Sequence, residues 1–267
     1  MMAEQRIIVR GHRFELWETA PDGRRHRLLR CYCGYGRNGF AASPAFPASG
    51  ASPALGKGPW CVPQGEPAPA LPDPKGQPAP FKCEGDGRTP VGVFPLEFAF
   101  GIAPNPGTAL PWKDITPSSF WSSERGTYNT WIEISPKVFQ VSQTAGHLEQ
   151  NRPVLTPVSQ KTGHLDQSGF PEGKNAGGLE QSKVPDGERL ADYPVQYKYA
   201  AVIGYNTVEP QFGAGSAIFL HCYGPRKSWF QCRSKRTATA GCISIPEKIM
   251  VRVLRVLRPG AVIDIQA

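Results

Sequence analysis

The chain has 267 residues, of which 40% are hydrophobic and 19% charged, with a formal net charge of +8. That balance suits a globular protein with one substantial core. Glycine (29) and proline (28) together exceed a fifth of the chain, which excludes a helical protein, and no apolar run approaches the ~20 residues of a membrane span.

Residues 1–10 carry charges and no apolar stretch, so no secretory leader is expected. Residues 6–10 and 13–18 read as short strands, with Phe14 and Leu16 alternating with Glu15 and Trp17. Pro21-Asp22-Gly23 signals a turn, and residues 26–33 complete a meander in which Cys31 and Cys33 share a face. From 40 to 81 Ala, Pro, Ser and Gly dominate. Such a segment cannot bury enough apolar surface to offset its ordering entropy, and it reads as a flexible insertion. Trp60 and Cys61 are its only hints of docking. Gly85-Asp86-Gly87 reads as a turn, and Thr89-Pro90 sets an extended entry to the next strand.

Strands are expected over 92–96 and 130–141. Residues 142–188 read as a low-complexity insertion with the degenerate repeats Gly146-His147-Leu148-Glu149-Gln150, Gly163-His164-Leu165-Asp166-Gln167 and Gly177-Gly178-Leu179-Glu180-Gln181. These units are too short and irregular for a solenoid, and His147 and His164 read as exposed loop residues, not metal ligands. Buried strands are expected over 197–205 and 216–221. A basic cluster at Arg226, Lys227, Arg233, Lys235 and Arg236 reads as a solvated loop, with attraction to an anionic polymer as the functional alternative. No nucleic-acid module is found.

Residues 246–258 are the clearest helix. Pro246 suits its first turn. Ile249, Met250, Val253, Leu254 and Leu257 form one apolar face, expected to be core, and Arg252, Arg255 and Arg258 lie toward the cation-favouring end. Pro259-Gly260 stops the helix and residues 261–266 form a last strand. The expected class is mainly β with one helix near the C-terminus and long irregular insertions, one domain over 1–267.

The chemistry concentrates late in the chain. The strand Gly215-Ser216-Ala217-Ile218-Phe219-Leu220-His221 ends in a histidine, and the run Ala238-Thr239-Ala240-Gly241-Cys242 places a thiol ahead of an apolar strand. A thiol beside an imidazole is a nucleophile beside its base, and an ion pair between them is expected to lower the thiol pKa. Small residues before Cys242 let a carbonyl approach backbone N–H groups as an oxyanion hole.

These segments resemble the catalytic end of the L,D-transpeptidases of the YkuD type, whose signature is a histidine at a strand end followed by Ser/Thr-x-Gly-Cys. The match falls on His221, Thr239, Gly241 and Cys242. Further likeness lies in Glu84-Gly85-Asp86-Gly87-Arg88-Thr89-Pro90-Val91-Gly92-Val93-Phe94-Pro95-Leu96, in Ala99-Phe100-Gly101, in Pro104-Asn105-Pro106-Gly107-Thr108 and in Tyr193-Pro194-Val195-Gln196-Tyr197-Lys198-Tyr199-Ala200 and Val202-Ile203-Gly204-Tyr205-Asn206. With gaps, it covers residues 5–39, 82–141 and 189–266.

The resemblance implies a YkuD-like mixed-sheet β-sandwich acting on peptidoglycan stem tetrapeptides in the periplasm or cell wall. Cys242 would attack, D-Ala would leave, and a second stem's amine would resolve the thioester into a 3–3 cross-link. His221 would be the base, Gly241 and Cys242 N–H the oxyanion donors, and Thr239 a loop-orienting residue. The group orienting His221 stays open, with Asp86 and a glycine carbonyl as candidates. No cofactor and no metal are implied. Three departures stand out: Cys222 follows His221 where glycine is common, Ser244 stands where many members carry Arg, and the His-to-Cys loop is long and basic. The alternatives are a carboxypeptidase using the same thioester, an inactive wall-binding module, and a zinc protein built on Cys222, Cys232 and Cys242. The seven cysteines (Cys31, Cys33, Cys61, Cys83, Cys222, Cys232, Cys242) fit either three disulfides with one free nucleophile or unrelated thiols, and a Cys222 disulfide would lock the loop beside His221.

Overall fold

A computed structural model describes residues 4–44, 81–134, 185–223 and 237–267. The cluster at 226–236, the three repeats, Trp60, Cys61, His147, His164 and Cys232 lie outside the described residues. The chain divides into a unit of Met1–Glu133 with Asp186–Ala267 and a second unit, Ile134–Pro185. Both sheets and the helix belong to the first.

The expected meander forms. Strands β1 (Glu4–Arg10) and β2 (Arg13–Thr19) turn through a two-residue loop with Gly11 at φ +50°, and β3 (Arg25–Tyr32) pairs antiparallel with β2. Ile7, Val9, Phe14 and Leu16 on one face are fully buried, and Cys31 and Cys33 pack into the same cluster.

Strand β4 (Phe40–Ala42) pairs with the start of β5 (Thr89–Gly101), and Ala42 bridges to Phe81, so the segment expected as an insertion from 40 is joined to the sheet at both ends. β5 is far longer than the expected 92–96. Pro95, which argues against a continuous central strand, falls where β5 changes partners: Gly92–Pro95 faces β13 (Val262–Gln266) and Leu96–Phe100 faces β10 (Ala200–Ile203). β6 (Trp112–Asp114) also pairs with β5. β11 (Phe219–Cys222) and β12 (Ile243–Ile245) complete the sheet, in the order β12-β11-β10-β5-β13-β1-β2-β3. A smaller sheet holds β7 (Ser119–Ser122) between β8 (Thr130–Glu133) and β9 (Gly187–Arg189). Gly187 and Glu188, inside the expected insertion, pair with β7 and so move its end upstream.

Helix α1 (Glu247–Val256) has Pro246 as its N-cap and closes through Leu257 and Gly260 at φ +88°. Met250, Val253, Leu254 and Leu257 are fully buried against Leu220, Cys222, Ile243 and Ile245. Each such side chain contributes about 1.5–3 kcal/mol. The opposite sheet face, with Ala200, Val202, Phe219 and Cys242, is covered by Trp121, Leu190 and Tyr197. The chain is thus mainly β with one α-helix among the described residues.

Candidate active site

Parallel pairing of β11 with β12 sets Leu220 opposite Ile243 and His221 opposite Ser244. Side chains alternate along strands, so Cys242 shares a face with Phe219, His221 and Ser244, while Cys222 points into the helix-covered core. His221 faces Ser244 across this pair, and Cys242 directly precedes β12. Both line one cleft of about 610 Å³, together with Lys82, Trp121, Glu188 and Tyr197. That volume suits a small-molecule or peptide ligand.

Cys242 is 8% exposed. Its thiol donates to the Ala217 carbonyl at 3.1 Å and accepts from the Phe219 N–H at 3.3 Å. Burial pushes the thiol up to about 12, a rise that the Phe219 N–H and Lys82 moderate and Glu188 adds to. Burial also pulls His221 down to about 4. The resting pair is therefore neutral thiol and neutral imidazole, which corrects the expected ion pair. The groups bonded to the sulfur come from residues 217 and 219.

His221 Nδ1 lies 2.7 Å from the Cys222 carbonyl oxygen. A carbonyl only accepts, so Nδ1 carries the proton and Nε2 is the basic nitrogen. The orienting group is this carbonyl. Asp86, one candidate, instead accepts from Lys82 Nζ and the Cys83 and Arg88 amides in the turn expected at Gly85-Asp86-Gly87. Tyr197 packs edge-on against the imidazole, ring centroids 5.6 Å apart.

Thr239 serves the loop: its hydroxyl donates to the Cys242 carbonyl at 2.7 Å and accepts from Gly241 N–H at 3.1 Å. Gly241 N–H must leave that bond to hold an oxyanion. Gly241 itself sits at φ +154°, and a Cβ there would meet the Arg88 carbonyl at 3.0 Å. Fully buried Thr89 donates to the Gly241 carbonyl at 2.7 Å and accepts from Gly36 N–H at 2.8 Å. Ser244 is also fully buried, its hydroxyl donating to the Thr237 carbonyl.

The strand expected over 216–221 starts only at Phe219, because Ala217 adopts φ +53°. Buried Asn129 holds it there: its Oδ1 accepts from Ala217 N–H and the Trp121 indole, and its Nδ2 donates to the Tyr205 and Asn206 carbonyls. Ser216, expected on the strand, lines the cleft from this loop. Sequence reasoning missed Asn129, Thr89, Lys82, Tyr197 and Glu188 as site residues. Thr89 and Tyr197 at least lie in segments singled out in the sequence.

Cys31, Cys33, Cys222 and Cys242 are free thiols, which excludes three disulfides and the expected Cys222 lock. Cys222 and Cys242 face opposite sides of the sheet and cannot share a zinc ion. Among the described residues no group of three His, Cys, Asp or Glu side chains is placed to hold a metal, and no helix is long and apolar enough to cross a membrane. No family model, curated protein or solved structure matches the chain.

Proposed function

We propose that the chain is a cysteine acyltransferase of the L,D-transpeptidase kind, acting on peptidoglycan stem tetrapeptides through a thioester at Cys242. The observation that carries this reading is a cleft in which a thiol and an imidazole share one face of adjacent strands, with Nε2 as the basic nitrogen. The YkuD-like sandwich and a periplasmic or wall location belong to the same proposal and rest on the ordered sequence likeness.

Because the resting pair is neutral, the thiol proton moves to His221 Nε2 as the sulfur attacks the acyl carbon. The C–S bond forms, the amide C–N bond breaks, and the imidazolium returns that proton to the departing amine of D-Ala. An acceptor amine then attacks the thioester. It forms the new C–N bond and loses a proton, which passes through Nε2 to the leaving sulfur.

The test is incubation with a disaccharide-tetrapeptide, followed by intact-protein mass and assay of free D-Ala, with Cys242→Ala as control. The expected result is an adduct of donor minus D-Ala that requires Cys242. A cross-linked dimer identifies transfer and a tripeptide identifies hydrolysis. No adduct and no D-Ala from folded, reduced protein would overturn the proposal.

A further inference from the structure

Glu188 is a carboxylate of the catalytic cleft that the thiol chemistry above does not use. It sits on β9 opposite Trp121 of β7, and both side chains line the cleft with Cys242. Its carboxylate accepts a hydrogen bond from the Tyr197 hydroxyl. Among the described residues no ion pair includes it. Lys82, the one lysine among the described residues that line the cleft, directs its ammonium to Asp86 and the Cys83 carbonyl, both at 2.7 Å. A carboxylate drawn out of water without a cationic partner is unfavourable, and burial raises its pKa, with the Tyr197 bond pulling the other way. Around it stand Tyr193, Tyr197 and Trp121, which also line the cleft. An anion among aromatic rings recognises an organic cation, through charge at one end and ring faces at the sides.

We infer that Glu188, with Tyr193, Tyr197 and Trp121, forms a subsite for a primary ammonium group of the substrate. The inference rests on the acyl-enzyme reading and adds to it the residues that hold the substrate's amine. That amine has two sources, the side chain of the donor's diamino acid or the incoming acceptor. In the acceptor case Glu188 takes one proton from the ammonium, giving the neutral amine that attacks the thioester, and later releases that proton to solvent.

The test uses the full chain and Glu188→Gln, each with donor peptides carrying a free or an acetylated side-chain amine and with an acceptor peptide whose amine is free. Acylation is followed by intact mass, and resolution by the ratio of cross-linked to hydrolysed product across acceptor concentrations. The expected result is an effect of about 10- to 100-fold in one step: either the wild type acylates faster with the free-amine donor, a preference that Glu188→Gln abolishes, or Glu188→Gln needs that much more acceptor to reach the wild-type product ratio. The first outcome assigns the donor's ammonium and the second the acceptor's. Tyr197→Phe provides a second measurement: freed from the phenol, the carboxylate should lower the KM for that amine several-fold. Acyl-enzyme formation with the same donor preference and the same acceptor dependence in wild type and Glu188→Gln, or an unchanged KM in Tyr197→Phe, overturns the subsite alone. No Cys242 adduct in the wild type overturns the acyl-enzyme reading and the subsite with it.

Discussion

Asn129 is the strongest test of how the loop before β11 holds the thiol. It is 2% exposed, sits at φ +57°, and makes four hydrogen bonds, two accepted and two donated. Asn129→Ala removes the bonds to the Trp121 indole N–H, the Ala217 N–H and the Tyr205 and Asn206 carbonyls. At a net ~1 kcal/mol per bond the loss is about 4 kcal/mol. The left-handed backbone adds about 1 kcal/mol for a residue with a Cβ and no amide. Asn129→Gly removes the same four bonds but tolerates the backbone, so it should be the more stable variant by that last amount. Urea unfolding followed by tryptophan fluorescence measures both. Because Ala217 receives the Cys242 thiol, both variants should also slow Cys242 acylation under conditions where they stay folded. A loss below ~1 kcal/mol in Asn129→Ala would refute the claim that this side chain organises the loop.

Thr89→Val leaves the Gly36 amide and the Gly241 carbonyl unpaired in a fully buried site, for a loss of roughly 2–4 kcal/mol, whereas Thr89→Ser should stay within ~1 kcal/mol of wild type in the same unfolding assay. His221, held near pKa 4 against 6.5 when unfolded, is neutral in the fold, so the unfolded chain takes up the proton first. Stability tied to it is complete above pH 6.5 and declines by about 3 kcal/mol as pH falls to 4, a decline that His221→Gln should reduce in pH-dependent melting. With the thiol near pKa 12, alkylation of Cys242 by iodoacetamide, located by mass, should keep rising past about pH 9; a plateau below about pH 8 would contradict the neutral pair. Gly34→Ala would place a Cβ 1.9 Å from the Thr237 carbonyl oxygen and should lose more than ~2 kcal/mol, while Gly126→Ala, with open space around it, should change stability by less than ~0.5 kcal/mol.

The parts of this molecule legible in its sequence are those fixed by neighbours in the chain. Alternation drew the β1–β3 meander, helical spacing drew α1, and the strand-end histidine with the Gly-Cys pair marked the two residues that the β11–β12 register sets on one face. What escaped depends on distant partners. No local pattern says that Asn129 will hold Ala217, or that the carbonyl orienting His221 is that of Cys222. Glu188 was hidden by the polar composition around it, and only pairing with β7 brings it to the cleft. The thiol's raised pKa escaped for the same reason, since burial of Cys242 is a property of the aromatic layer above it.

Strand β13 comes after every other strand in sequence yet lies between β5 and β1. The contact of Arg10 with Gln266 spans 256 residues. The meander can form early, but its β1 edge stays open until residues 262–266 arrive, and the half carrying the cleft waits with an open β5 edge. Closure over such a loop makes folding slow. It also leaves two exposed strand edges on the nascent chain, each able to pair with another copy. β13 is therefore the strand whose arrival covers both of these edges at once.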